Sequence, residues 1–135
     1  MSKLYEYAIL RVVPRPERGE AINAGVVVHC PETKFLEAKV RLDEERLRAL
    51  DPDLDAKTVA AHLESIRKVC AGGPEGGALG MLSARERFGR VVAPRSTIVQ
   101  PSPVHTGFAK DPEQALERLL AEMVLSLGET KDRSR

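Results

Sequence analysis

Apolar and polar positions alternate most clearly at the start of the chain. Residues 4–13, LYEYAILRVV, hold aromatic and β-branched types with no glycine or proline, which predicts a first strand. Alternation puts Ala8, Leu10 and Val12 on one face and Tyr5, Tyr7, Ile9 and Arg11 on the other. Arg11 then projects from a partly apolar face, where its stem can snorkel to solvent. Residues 14–20 carry two prolines and a glycine and form a polar loop. The valine run that follows suits a buried strand over Ala21–Cys30, with Asn23 and Gly25 at its entrance marking a bulge or a close backbone approach. After a turn at residues 31–34, alternation resumes from Phe35 to Leu42, so the first forty residues predict an antiparallel meander.

Helical spacing takes over next. Asp43 caps a short helix through about Leu50, and Asp51-Pro52 interrupts it. Asp53 or Asp55 caps a second helix in which Val59, Leu63, Ile66 and Cys70 make one apolar stripe, with His62 at its border. Residues 71–80 hold five of the ten glycines and predict a flexible connector; no lysine stands there to complete a phosphate-binding loop. Ser83, with Glu86 three residues on, caps a turn of helix through Arg87, and Phe88–Val92 and Ser96–Val99 predict strands separated by Ala93-Pro94. The last helix starts at Asp111-Pro112 with a capping pattern to Gln114 and carries Leu116, Leu119, Leu120, Met123, Val124 and Leu127 on one stripe, closed by Gly128. The expected architecture is α+β: an antiparallel sheet, made of the N-terminal three-stranded meander and strands after residue 88, covered on one face by the second and last helices. One domain spans residues 1–128, and residues 129–135 form a polar, disordered C-terminal tail.

Composition bounds the function. The 135 residues, 42% hydrophobic and 30% charged, suit a single globular domain, and a net charge of +1 gives no global pull toward nucleic acid or an anionic membrane. Two cysteines without paired spacing, no apolar leader at the N-terminus and no membrane-length apolar window predict a cytoplasmic protein with reduced thiols. His29, Cys30, His62, Cys70 and His105 lack the short spacings of a zinc site, so neither metal nor cofactor is expected. With three Phe, two Tyr and no Trp, aromatic interleaving for base stacking is nearly absent, which argues against nucleic acid.

Candidate chemistry concentrates in residues 83–107, where four arginines (Arg85, Arg87, Arg90, Arg95) face one carboxylate, Glu86, before a proline-stiffened exit. In an extended segment Arg95 and Thr97 share a face with Val99, while Ser96, Ile98 and Gln100 share the other. Guanidinium forks, hydroxyls, an amide and an imidazole favour an anion, so the candidate ligand-binding set is Arg85, Arg87, Arg95, Thr97, Gln100, Ser102 and His105, with Glu20 and Asn23 brought in by the fold. No carboxylate adjoins His105 to orient it as in a triad. The first expectation is therefore a non-enzymatic interaction module binding a protein partner or an anionic small molecule. The alternative is an enzyme on a phosphorylated or nucleotide-like substrate, with His105 as the catalytic acid or base and Arg85 and Arg95 as clamps; it requires Glu20, Asn23, Arg95 and His105 to converge on one pocket.

The segments Tyr5–Pro14 (YEYAILRVVP), Glu20–Val26 (EAINAGV), Ser83–Phe88 (SARERF) and Pro94–His105 (PRSTIVQPSPVH) together resemble the bacterial DUF3037 family, and the resemblance extends from Leu4 to Leu127. That family has no established activity, cofactor or catalytic residue, so it assigns no role to any position. The resemblance also associates such chains with neighbours of the HipA kinase type, which would suit a partner-binding role.

Overall fold

The computed structural model describes residues 1–125, so the expectations for Leu127, Gly128 and the tail at 129–135 lie outside the described residues. Three strands open the chain, β1 (Lys3–Val12), β2 (Ile22–Cys30) and β3 (Phe35–Val40), paired as an antiparallel meander. Helices α1 (Glu44–Leu50) and α2 (Ala56–Ala71), a single turn α3 (Gly77–Gly80) and α4 (Ala84–Val91) follow. Strands β4 (Val99–Pro101) and β5 (His105–Ala109) then return to the sheet, and α5 (Pro112–Met123) closes the described chain. The fold is α+β.

The sheet order is β3-β2-β1-β4, with β5 also pairing β1. β4 lies against Leu10–Val12 and β5 against Lys3–Tyr7, both on the edge of β1 that faces away from β2. β4 and β5 are thus one edge strand with a break. Leu10 opposes Pro101 and Tyr7 opposes His105, so Ala8 and Ile9 stand against three residues, Ser102, Pro103 and Val104. The extra residue is a bulge, held by Ser102: its backbone N–H donates to the Ile9 carbonyl at 2.8 Å and its Oγ accepts from the Ile9 N–H at 2.8 Å. A second bulge sits where expected, at Ala24, since Leu10 opposes Gly25 while Arg11 opposes Asn23. A Cβ on Gly25 would stand 2.9 Å from the Lys39 carbonyl oxygen, so the neighbouring strand leaves room only for glycine.

Both faces of the sheet are covered, which corrects the one-sided arrangement expected from sequence. On one face Ala8, Leu10, Val12, Val27 and Ala38 pack with Leu47, Val59, Leu63, Ile66, Cys70, Phe88 and Val91 of α1, α2 and α4. On the other, Tyr5, Ile9, Val26, Val28 and Cys30 pack with Ala115, Leu116, Leu119, Leu120 and Val124 of the α5 region. The physical reason is in β2. Val26, Val27 and Val28 are consecutive and each fully buried, and successive strand side chains point to opposite faces, so apolar cover is required on both.

Two further expectations change. Phe88–Val92 is the second half of α4 and its exit, not a strand. Ser83 Oγ accepts from the Glu86 N–H at 3.2 Å and donates to Glu86 Oε1 at 2.9 Å, an N-cap that starts the helix. Phe88 and Val91, three residues apart, then bury on one side of it. The strand expected at Ser96–Val99 begins only at Val99. The glycine-rich connector is also folded: Pro74–Gly76 makes a 3₁₀ turn, α3 follows, and the Gly73 N–H donates to the Gly80 carbonyl at 2.9 Å. Positive φ at Gly72, Gly73 and Gly77 permits this path.

Candidate functional site

The arginines of the central stretch do not gather around one ligand. Arg87 bridges two helices: its Nε donates to the Leu82 carbonyl at 3.0 Å, and its Nη1 donates to the carbonyls of Val69, at 3.1 Å, and Cys70. It thereby satisfies the carbonyl end of α2 and ties it to the entrance of α4. Arg95 does the same at the end of α4, donating to the carbonyls of Val91 at 3.2 Å, Ala93 at 3.3 Å and Arg90. Thr97 Oγ1 donates to the Val99 carbonyl at 2.8 Å. Ser102, 3% exposed, uses its hydroxyl as acceptor from Ile9 and as donor to the Pro103 carbonyl at 2.9 Å. These four side chains hold backbone together. The Arg85 side chain is exposed and makes no ion pair or hydrogen bond among the described residues, while Glu20 accepts from Arg18 Nε.

Arg95 and His105 stand on opposite faces. Arg95 lines a cavity of 160 Å³ with Ile66 and Val91 on the α2 side, whereas the His105 ring lies 5.4 Å from that of Tyr7, which packs against the α5-side core. The pocket that an enzyme with Glu20, Asn23, Arg95 and His105 requires is therefore not formed.

Three of the polar residues do share a face. On the α5 side, Arg11 in the central strand has Asn23 of β2 opposite it on one edge and Gln100 of β4 on the other. Directly opposed residues of antiparallel strands bring their side chains within about 5 Å at Cβ, so Arg11 stands in a row between two amide residues. Asn23 is oriented by α5, its Nδ2 donating to the Met123 carbonyl at 2.9 Å. Arg11 is half-buried, and neither its side chain nor that of Gln100 has a hydrogen-bonding or ionic partner among the described residues. Four residues along β1 on the same face, roughly 13 Å away at strand rise, Tyr7 carries His105 beside it. Tyr7 and Tyr5 are also ring neighbours at 6.0 Å, and Tyr5 Oη accepts from Arg118 Nη2 at 2.9 Å, which ties this surface to α5. Sequence reasoning placed Arg11 on this face but passed over it as a site residue. The signal was a cation among Tyr5, Tyr7 and Ile9 on a strand that must be central.

An antiparallel sheet enclosed between helices on both faces, with one row of polar side chains across its central strand, defines a small α+β domain with a polar surface on an otherwise apolar scaffold. The chain belongs to the family described as protein of unknown function (DUF3037), whose profile matches residues 7–124. No curated protein and no solved structure matches it. Among the described residues no helix is long and apolar enough to cross a membrane.

Proposed function

We propose that this domain is a binding module that takes an anionic group of a partner protein on the α5 side of its sheet, at Arg11 between Asn23 and Gln100. One observation carries the reading: Arg11, a partly exposed residue of the central strand flanked in register by two amide residues, has neither carboxylate nor carbonyl to pair with among the described residues and is open to a ligand from solvent. The planar guanidinium fork matches a carboxylate or phosphoryl group, and Gln100 adds amide donors beside it. Tyr7 and His105 extend the same surface with aromatic area suited to a protein contact. Binding is favoured over catalysis because His105 shares no pocket with Arg85 or Arg95.

The test is capture of a partner by the full chain, with Arg11→Gln against wild type and a HipA-type kinase, which the family resemblance associates with such chains, as the first partner tried. A charge-assisted hydrogen bond contributes about 1.5–3 kcal/mol, so Arg11→Gln should weaken a direct contact by roughly 10- to 100-fold while the thermal midpoint stays near that of the wild type. Capture that survives in a folded Arg11→Gln protein refutes the reading.

A further inference from the structure

A sheet ends in strands whose outer N–H and C=O groups lack a neighbour, and such groups pair with any strand that reaches them unless charge, proline or cover prevents it. The two outer strands of this sheet are not protected alike. β3 is flanked by α2 and α5 and carries Glu37 and Lys39, the latter paired with Glu117 of α5. β4 is blunted by proline. The Val13 N–H donates to the Ile98 carbonyl and the Ser102 N–H to the Ile9 carbonyl, so even-numbered residues of that segment face β1 and odd-numbered ones face outward. Pro101 and Pro103 therefore stand where outward donors would be, and neither has an N–H.

β5 has no such protection. The same two bonds show that odd-numbered residues of β1 direct their backbone to this edge, so Tyr7, Tyr5 and Lys3 make the ladder to His105, Gly107 and Ala109. The intervening Thr106 and Phe108 point their N–H and C=O groups outward, where they have no partner among the described residues. β5 (HTGFA) contains no Lys, Arg, Asp, Glu or Pro, and His105, Thr106 and Phe108 are exposed. Phe108 is 71% exposed, and Leu4, which opposes it in β1, is 45% exposed. An apolar pair thus lies beside the open backbone, on the α2 side of the sheet.

We propose that the β5 edge is a homodimer interface, at which β5 of a second copy pairs antiparallel about a two-fold axis at Gly107. The occupant follows from self-complementarity. With Gly107 opposite Gly107 of the second copy, the outward groups of Thr106 meet those of Phe108 of the other copy, and the reverse, so each outward donor finds an acceptor. The two Phe108 residues become diagonal neighbours, about 7–8 Å apart, with Leu4 behind each, so the exposed apolar pair of one copy covers that of the other. Lys110 falls opposite Val104 of the second copy, so no charge faces a like charge. Five residues of edge and two apolar side chains per copy make an interface at the low end of specific sizes, below about 1,200 Å², and hence a weak, reversible dimer. The two-fold axis of an antiparallel pair is perpendicular to the sheet, so the α5 sides of both copies face the same way and the dimer presents two Arg11 rows together. That consequence rests on the reading of Arg11 above; the pairing itself does not.

The experiment is sedimentation equilibrium of the full chain from about 10 µM to about 1 mM, with amide hydrogen exchange measured by NMR at both ends of that range. The mean mass should rise from 14.8 kDa toward twice that value. The Thr106 and Phe108 amides should exchange severalfold more slowly in the concentrated sample, with the slowing confined to the neighbourhood of β5. Phe108→Lys, at an exposed edge position, should weaken association roughly tenfold or more while the thermal midpoint stays near that of the wild type. Thr106→Pro removes one outward donor and should do the same. A single species of 14.8 kDa throughout overturns the proposal and leaves the edge to a strand of another protein. A dimer that survives in a folded Phe108→Lys protein, or that forms without slower exchange at Thr106 and Phe108, overturns it as well. If Thr106→Pro does not fold, Phe108→Lys and the exchange measurement decide.

Discussion

Replacing Ser102 by alanine tests whether this residue is architecture or ligand contact. Its hydroxyl accepts from the Ile9 N–H at 2.8 Å and donates to the Pro103 carbonyl at 2.9 Å, at the point where the edge strand carries one residue too many. The substitution would leave the Ile9 N–H, in a strand residue only 7% exposed, facing a methyl group. A net hydrogen bond contributes about 1 kcal/mol and an orphaned buried donor costs about 1–3 kcal/mol, so the destabilisation should be about 2–4 kcal/mol. For a domain of this size, each kcal/mol shifts the midpoint by roughly 3–6 °C, which predicts a fall on the order of 10 °C. Equilibrium urea unfolding followed by far-ultraviolet circular dichroism reads the change as a lowered midpoint at constant slope. Val104→Ala, at an exposed position on the same segment, is the control and should change stability by less than about 1 kcal/mol. A Ser102→Ala protein within about 0.5 kcal/mol of wild type would refute the bulge argument, since the lost hydrogen bond alone should exceed that, and loss of partner capture at unchanged stability would return Ser102 to the ligand contacts.

Gly107 and Cys70 give two further tests. A Cβ on Gly107 would stand 2.5 Å from Tyr5 Oη, and Tyr5 is 4% exposed and held by Arg118, so Gly107→Ala should cost about 1–3 kcal/mol in a denaturant titration; a neutral result would mean that the ring moves freely. Burial pushes the Cys70 thiol up to about 12 from 9.0, only partly offset by the Arg87 charge, so the folded protein should resist a thiol reagent at pH 8 until it unfolds; rapid labelling of folded Cys70 would contradict this. Because the folded value is the higher one, the neutral thiol favours the folded state fully below pH 9.0, and that contribution is lost as pH rises toward about 12; Cys70→Ala should flatten this alkaline decline in stability.

The parts of the fold that could be read in the sequence are those where one local pattern acts alone. The β1–β3 meander follows from alternation and turn residues, and α2 and α5 follow from their apolar stripes and from Asp55 and Asp111, whose carboxylates accept from Lys57 and Glu113 N–H groups. Residues 88–92 misread because Phe88, Val91 and Val92 are strand formers by type. The Ser83 N-cap and the common burial of Phe88 and Val91 outweigh that propensity, and Gly89, exposed, does not break the helix. The arginines misread for a different reason. Composition records their charge but not the helix ends, and Arg87 and Arg95 are consumed by carbonyls that only the fold places beside them.

β1 shows why the candidate surfaces were only half visible. Its alternation sends Tyr7 and Arg11 to the α5 side and Glu6 to the α2 side, so that one strand supplies a polar residue to each of two separate surfaces. What each residue meets depends on register. Pairing across β2 sets Arg11 opposite Asn23 and Glu6 opposite His29, and the bulge at Ala24 makes the two offsets differ by one residue. Without that bulge Arg11 would oppose Ala24, and the guanidinium would lose one of its flanking amides. The extra residue that interrupts the ladder is thus also what assembles the Asn23-Arg11-Gln100 row, while Gly25 next to it leaves room for the close approach of β3 on the other edge of β2.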